Sequence, residues 1–453
     1  MDAETKEAVR LARKYIFMGA AQRDALRDGR LRKLVAHAKA NSPYFAKLYA
    51  GIGESFSLRD LPPTTKPELM DNFDDWVTDR ELSKAGILGF MEDKNNIGRQ
   101  YLGKYLIHTT SGTTGEPAIV VYDKSFMVAL NSMNQTRAIS RIRDTLVFVA
   151  KGGRKAQVSA MGAFFMGSGL LLAEQLAEPR QAPQLLCVDS LAPIPEITEA
   201  LNRFKPALIS AFPTTLELLA EEQLAGRLRI SPASIISSSE ILTAETRGLA
   251  ERAFKCRVQN NYDCTEGGFI ASECPRGRAH LNDDWVIVEP VGKSFEPTPD
   301  GQISDRLLLT QLGSSTQPFN RYEISDRVVL HREGCPCGRR SPWLEIGGRS
   351  SHLLDFEGEG GAEVKILPAA FSAILNDLPG VKRFQVAVHR GNRVELRLEL
   401  RLEAGDMAAA FAKASAPMRE YLAKNGVRAD VFLSDSPPRV DPSGKFRRYY
   451  MAD

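Results

Sequence analysis

The sequence predicts an α/β protein. A large N-terminal domain of mixed, mostly parallel sheets with flanking helices should be followed by a small, mobile α+β lid domain. Three observations predict this. The 453-residue chain is too long for a single hydrophobic core. Between about residues 105 and 290, short apolar runs alternate with helical patterns, as expected of parallel strands joined by helices. The last hundred or so residues then change character, to an alternating strand and a long amphipathic helix. The junction is expected at Gly347-Gly348-Arg349, giving domains 1–348 and 349–453.

The first hundred residues read as helical and peripheral. Leu31, Leu34, Val35 and Ala38 fall at helical spacing within Leu31–Tyr49, and Asn41-Ser42-Pro43 breaks the pattern. Ala118-Ile119-Val120-Val121-Tyr122 reads as a strand. Leu146–Ala150, Leu185–Val188, Ala207–Phe212 and Ser234–Ser237 read as buried strands, with Thr214–Leu224 and Ala244–Phe254 as intervening helices. A site is expected in the loops at the C-terminal ends of such strands. Further on, Arg393–Leu400 alternates as a half-exposed strand and Asp406–Asn425 as an amphipathic helix. There are no internal repeats and no low-complexity tracts.

Composition narrows the function. A net charge of +3 with no long basic stripe gives no electrostatic support for nucleic-acid or anionic-membrane partners. The polar, acidic start Met1–Glu7 is unlike a secretory signal, and no apolar run is long enough to span a membrane. Six cysteines in so long a chain are not a disulfide scaffold, so the cytoplasm is the expected location. Cys187 and Cys256 read as buried core thiols.

The most informative segment is Thr109-Thr110-Ser111-Gly112-Thr113-Thr114-Gly115-Glu116-Pro117. Hydroxyls, backbone N–H groups and close-turning glycines suit a loop wrapped around phosphate oxygens, although many loops of this composition are plain surface turns. It should feed the strand at Ala118–Tyr122, unlike a Walker loop, which opens a helix and ends in Lys-Ser/Thr. Gly98 with Gly103-Lys104 imitates a Walker loop, but Tyr105 offers no small hydroxyl for Mg²⁺.

A second constellation is Cys274, His280, Cys335 and Cys337: three thiols and an imidazole, enough for a tetrahedral structural Zn²⁺. Its spacing fits no standard finger, and surface thiols beside a turn are the alternative. Near the C-terminus, Pro442-Ser443-Gly444-Lys445 places a long, flexible ammonium on a tight turn.

In order along the chain, Thr109–Pro117, Tyr262-Asp263-Cys264-Thr265-Glu266, Arg321-Tyr322 with Asp326, Gly348-Arg349 and Pro442–Lys445 resemble the adenylate-forming enzymes. These are the acyl-CoA synthetases, luciferases and peptide-synthetase adenylation domains. Leu31–Tyr49, Leu61–Lys66, Ala271–Cys274 and Cys335–Arg339 make the phenylacetate–coenzyme A ligase branch the closer likeness, from about residue 31 to 448.

The resemblance implies ATP-dependent activation of an aryl or arylacetic acid to an acyl-adenylate, with pyrophosphate release, then transfer to a thiol, coenzyme A. It places Thr110, Ser111, Gly112, Thr113, Thr114 and Gly115 on the β/γ-phosphates and Thr265 on the α-phosphate. Glu266 would bind Mg²⁺, Tyr262 would stack on adenine beside Ser239 and Glu240, and Asp326 would meet the ribose. Arg321 would also contact the nucleotide. Phe212, Asp263 and Gly267 would line the acid pocket. Lys445 would bridge carboxylate and α-phosphate oxygens, Arg349 would be a second mobile cation, and Ser351 would mark the hinge. The zinc set is similar to that of members of this branch.

Several positions depart from the family. Asp263 stands where glycine is usual, and Ser238-Ser239-Glu240 replaces Gly-Ala/Gly-Glu. Ser351 and His352 follow the hinge in place of acidic residues, and the Gly-x-Asn turn of the thiol tunnel is not recognisable in Gly358–Glu363. An amine, or a separate carrier protein, is therefore an alternative acceptor. Rival classes are a non-catalytic nucleotide-binding protein and a zinc-dependent interaction module, the latter leaving Thr109–Pro117 unexplained. A homodimer is left open.

Overall fold

A computed structural model of the chain describes residues 2–110, 117–349, 354–358, 360, 363–366, 371, 374–375, 378, 380–401, 406–440 and 446–452, with Gly348, Arg349, Glu363 and Lys365 described by backbone alone. The chain divides into two compact units, Met1–Gly347 and Gly348–Asp453.

The first unit opens with helices. Ala20–Asn41 buries Leu31, Leu34, Val35 and Ala38, and it ends where Ser42 caps the next helix, Pro43–Leu48, through its side chain. Strands β1 (Gln100–Tyr101), β2 (Tyr105–Thr109) and β3 (Ile119–Tyr122) form an antiparallel sheet. The segment Thr110–Ala118 is thus the connection of a β2–β3 hairpin. The hydroxyl-rich loop feeds a strand, as its sequence requires.

Next come β4 (Lys155–Ser159), β5 (Leu185–Asp189), β6 (Leu208–Ala211), β7 (Ser234–Ser237), β8 (Arg257–Cys264), β9 (Gly268–Glu273) and β10 (Ala279–Leu281). Strands β11 (Val286–Val291), β12 (Arg306–Gln311) and β13 (Tyr322–Ile324) make a separate antiparallel sheet. With β14 (Asp326–His331) and β15 (Trp343–Arg349), a nine-stranded sheet is complete in the order β14-β15-β10-β9-β8-β7-β6-β4-β5. Its run β5-β4-β6-β7-β8 is parallel, and β8-β9-β10-β15 is antiparallel. Helices Ile194–Phe204, Pro213–Leu224 and Ala244–Phe254 cover the parallel part, packing Ile197, Leu201, Leu216, Leu219 and Phe254 with Val158, Ile209, Ile235 and Val258. The expected mixed α/β architecture with a separate C-terminal unit is the one found.

Two local expectations are corrected. Leu146–Ala150 is not a buried strand but the end of the helix Ile142–Ala150, on which Leu146 and Val149 are about two-thirds exposed. A five-residue apolar run does not distinguish helix from strand, and here the local hydrogen bonds of a helix win. The strand the alternation calls for is β4, hidden in sequence because Lys155 and Gln157 interleave with its buried Ala156 and Val158. Cys187 and Cys256 are half-buried rather than core residues, yet burial still raises their thiols to about 11 and about 12.

In the second unit, β16 (Leu354–Glu357) pairs with β17 (Glu363–Ile366). Strands β18 (Val381–His389), β19 (Arg393–Leu400), β20 (Asp430–Leu433) and β21 (Tyr449–Met451) form a sheet ordered β20-β19-β18-β21. The helix Met407–Lys424 starts at Asp406, whose carboxylate accepts from Ala408 N at 2.9 Å. It buries Met418 and Leu422 against Phe384, Val386, Leu396 and Leu398. Strand β19 is not half-exposed: Val394 to Leu398 are all buried, because Glu395 and Arg397 on its polar side pair with each other at 2.7 Å and are covered.

Candidate active site

The parallel strands end at one edge of the sheet, and their following residues gather there. Phe212 follows β6 and opens the helix Pro213–Leu224; Ser238, Ser239 and Glu240 follow β7; Thr265 and Glu266 follow β8. This is where an α/β sheet leaves a crevice for ligands.

The turn after β8 is held from several directions. Tyr122 Oη donates to Thr265 O at 2.7 Å, tying it to the β2–β3 hairpin. Gln311 Nε2 donates to Gly267 O at 2.6 Å, and Gly267 N donates to Cys264 Sγ at 3.2 Å. A Cβ at Gly267 would lie 2.8 Å from Leu309 Cδ2, so close packing accounts for this glycine. Behind Tyr122, the buried His108 ring stands edge-on at 4.6 Å, and burial lowers its imidazole to about 4.

Two tyrosine–carboxylate pairs form the centre. Tyr262 Oη donates to Asp326 Oδ2 at 2.6 Å, and Tyr322 Oη donates to Glu266 Oε1 at 3.0 Å. Burial, with Glu266 beside it, pushes the Tyr322 phenol well above its ordinary value, so it remains a donor to that carboxylate. Tyr322 and Gln311 carry no role in the sequence reading; only the neighbourhood of Tyr322 to Arg321 and Asp326 could have flagged one of them.

At the β7 end, Ser239 adopts φ 69°, a left-handed backbone in which a glycine is at ease and a serine is strained. Its hydroxyl donates to Asp263 Oδ1 at 3.4 Å. Glu240 accepts from Thr214 N at 3.1 Å and Thr214 Oγ1 at 2.9 Å, joining the β7 loop to the helix after Phe212. Arg321 points into the protein, pairing with Glu289 at 2.9 Å and donating to Leu61 O. This positions the turn before Tyr322 and does not match the direct nucleotide contact expected of it. Thr110 braces the hairpin stem: its Oγ1 accepts from Ala118 N at 2.9 Å. Ser111, Gly112, Thr113, Thr114, Gly115, Ser351 and Lys445 lie outside the described residues, as does the side chain of Arg349.

The cysteine–histidine set converges elsewhere in the first unit. One ligand atom from each of Cys274, His280, Cys335 and Cys337 lies within 4.8 Å of the others. Cys274 Sγ and Cys335 Sγ are 3.9 Å apart, close to the edge of about 3.8 Å for a tetrahedron with Zn–S bonds near 2.3 Å. Cys337 Sγ is 3.5 Å from His280 Nε2, while His280 Nδ1 donates to Ser341 O at 2.8 Å. That second bond fixes the ring so that Nε2 faces the sulfurs. The N–H groups of Arg276 and Arg339 point at Cys274 Sγ and Cys337 Sγ. Three thiols and one imidazole, converging with none of the four residues exposed, could hold a tetrahedral metal ion.

Residues 104–303 match the AMP-binding enzyme family. The resemblance read from the motifs is borne out. A phenylacetate-coenzyme A ligase of Thermus thermophilus is 26% identical over 406 residues, covering 84% of this chain and 81% of that protein. Protein CapK of Staphylococcus aureus is 31% identical over a shorter stretch of 84 residues, 18% of this chain and 19% of that protein. Among solved structures, a 2-hydroxyisobutyryl-CoA ligase in the postadenylation state aligns with TM-score 0.69 and 21% identity, over 97% of this chain and 91% of that one. An anthranilate CoA ligase with anthranoyl-AMP aligns with TM-score 0.51 and 18% identity, over 75% and 64%. The AMP-binding segment contains the hydroxyl-rich loop and the turn after β8, and Asp326 lies just beyond it. Among the described residues, no helix is long and apolar enough to cross a membrane.

Proposed function

We propose that this chain is an AMP-forming acid–thiol ligase: it activates a carboxylic acid with ATP to an acyl-adenylate and passes the acyl group to coenzyme A. The observation that carries this reading is the two pairs Tyr262–Asp326 and Glu266–Tyr322 on one framework, tied through Tyr122 to the β2–β3 hairpin whose connection has the hydroxyl-rich sequence. The relatives named above, phenylacetate-coenzyme A ligase foremost, support the same chemistry.

Attack of a carboxylate on the α-phosphate brings two anions together, so catalysis needs cations and fixed donors where charge builds up. Thr110 and residues 111–115 hold the β/γ-phosphates, Thr265 contacts the α-phosphate, and Lys445 bridges the reacting oxygens. Tyr262 and Asp326 hold the nucleoside, with Ser239 and Glu240 at the adenine edge. Glu266 is the hard oxygen ligand that would hold Mg²⁺, a cation that neutralises phosphate charge when bound. Phe212, Asp263 and Gly267 line the acid pocket. Cys274, His280, Cys335 and Cys337 would hold a structural Zn²⁺ at the antiparallel end of the large sheet. Domains 1–348 and 349–453 carry the two parts, and the protein works in the cytoplasm.

Pyrophosphate release scanned over aryl, arylacetic and short hydroxy acids, with and without coenzyme A, tests the proposal. Acid-dependent release, with a thioester appearing only when coenzyme A is present, supports it. Release followed only by amide, or by acylation of an added carrier protein, moves the acceptor to the alternative class. No acid-dependent release rejects it.

Lys445 must leave the α-phosphate before a thiol can enter, so the second unit turns about a few residues near Ser351. Ser351→Pro is expected to spare adenylation and to slow thioester formation about ten-fold or more. Equal loss of both half-reactions moves the hinge elsewhere.

Asp263 takes up room that glycine leaves open in the family, and it finds a protein partner in Ser239. We expect Asp263 to narrow the pocket rather than to read an amino or hydroxyl group on the acid. Asp263→Gly should therefore shift kcat/KM for all acids of the panel together. Selective loss of amino- or hydroxy-acids by about ten- to a hundred-fold makes it a specificity residue instead.

A further inference from the structure

The middle of the polar side of the β18–β19 ribbon, at Gln385, Glu395 and Arg397, is buried. Phe384, Val386, Leu396 and Leu398 face the unit's apolar core, and alternation puts Gln385, Glu395 and Arg397 on the opposite side. Gln385 and Arg397 are nonetheless buried. Arg439 and Arg447, which flank Pro442-Ser443-Gly444-Lys445 in sequence, bond to this side through Gln385.

Gln385 makes the contact that matters. Its Nε2 donates to Arg439 O at 3.0 Å and to Arg447 O at 2.7 Å, while its Oε1 accepts from Arg439 N at 3.3 Å. One amide group therefore grips the chain on both sides of residues 440–446, and the two stems of the loop meet at a single point. Val386 N donates to Arg448 O at 2.8 Å, extending the far stem into β21.

The amide is itself held. Arg397 Nη1 donates to Gln385 Oε1 at 3.3 Å, and Arg397 Nε pairs with Glu395 at 2.7 Å. Glu395 also accepts from Ser434 Oγ at 2.5 Å and lies 2.9 Å from His389 Nε2. Burial opposes its charge, but Arg397, Ser434 and His389 outweigh that and hold the carboxyl at about 2. The chain of partners is complete, as a buried polar network must be to give rigidity rather than strain.

We infer that Gln385 is a positioning residue for adenylation: it closes the base of the 439–447 loop and so fixes how far Lys445 can range. This rests on the reading of Lys445 as the adenylation cation. Lys445 is two residues from the Arg447 anchor. Without the clamp, the loop must be closed at the expense of chain entropy each time the ammonium is presented. A displacement of about 1 Å from such a change costs roughly a hundred-fold in rate.

Gln385→Leu keeps the side chain's approximate volume and removes all of these hydrogen bonds. It should lower the kcat of acid-dependent ATP–pyrophosphate exchange by about ten- to a hundred-fold, with KM for ATP changed less than about three-fold. Thioester formation from supplied acyl-adenylate and coenzyme A should stay within about two-fold of the parent, since that step does not use Lys445. In a Lys445→Ala background, Gln385→Leu should cost less than about two-fold more, because both changes remove one function. Gln385→Asn, too short to reach both stems, gives the same test if the leucine variant does not fold. If Lys445→Ala slows exchange but Gln385→Leu does not, or if its losses multiply with those of Lys445→Ala, the inference is overturned while the reading of Lys445 stands. If Lys445→Ala leaves exchange unchanged, the reading of Lys445 falls and takes the inference with it.

Discussion

Replacing Lys445 by alanine is expected to slow acyl-adenylate formation by a factor of about a hundred to a thousand, the scale of losing one preorganised transition-state donor. The effect should fall on kcat, because charge builds up between carboxylate and α-phosphate only as the bond forms. ATP binding, measured by titration in the absence of acid, should change little. Coenzyme A should still capture supplied acyl-adenylate at close to the parent rate. Glu266→Gln should act on the same half-reaction differently: it removes a hard ligand for Mg²⁺, and added Mg²⁺ should partly restore the rate. Unchanged pyrophosphate exchange in Lys445→Ala would remove the lysine from the mechanism.

The second large effect concerns the cysteine–histidine set. Protein purified without chelator should carry close to one tightly held Zn²⁺, with the three cysteines of the set protected and the other three of the six titrating first. Cys335→Ser should lose the metal and lower Tm by about 5 °C, given roughly 2 °C per kcal/mol or less in a unit larger than about 250 residues. The loss should be structural, because no ligand position is left for substrate or water. Less than about half an equivalent of Zn²⁺ after exhaustive dialysis, with all six thiols freely reactive, rejects the site.

Much of this was legible in sequence, for physical reasons that differ from element to element. Ser234–Ser237, Ala244–Phe254 and Arg393–Leu400 are read with the bounds they have in the structure, because turn residues or caps mark their ends. Thr243, for example, caps the helix Ala244–Phe254 through its side chain. Leu146–Ala150 misled because apolar content signals burial only on average, and this helix leaves Ile142, Leu146 and Val149 exposed. Strand β4 was missed because Lys155 and Gln157 break its apolar run, and Lys155 is satisfied by Glu174 at 2.9 Å, a partner that no local pattern shows.

In the site, residue types announced the donors and ligands but not their supports. Tyr262, Glu266 and Asp326 stand in recognisable motifs, whereas the bonds of Tyr122 to Thr265 and of Gln311 to Gly267 join residues 143 and 44 positions apart. Arg321 shows the converse, a motif residue whose guanidinium is turned to Glu289. Gln385 stands in no motif of the sequence; its meaning lies in the two backbone oxygens that only the folded chain brings to it.

The central claim is that the acid's carboxylate attacks the α-phosphate of ATP. An accepted acid labelled with ¹⁸O in its carboxylate, incubated with ATP, Mg²⁺ and coenzyme A, tests it directly. Attack at the α-phosphate, followed by displacement at the acyl carbon by the thiol, must leave one labelled oxygen in the AMP and none in the pyrophosphate. That is the expected mass spectrum. Label recovered in inorganic phosphate beside ADP, or AMP that appears without acid and without label, contradicts the account.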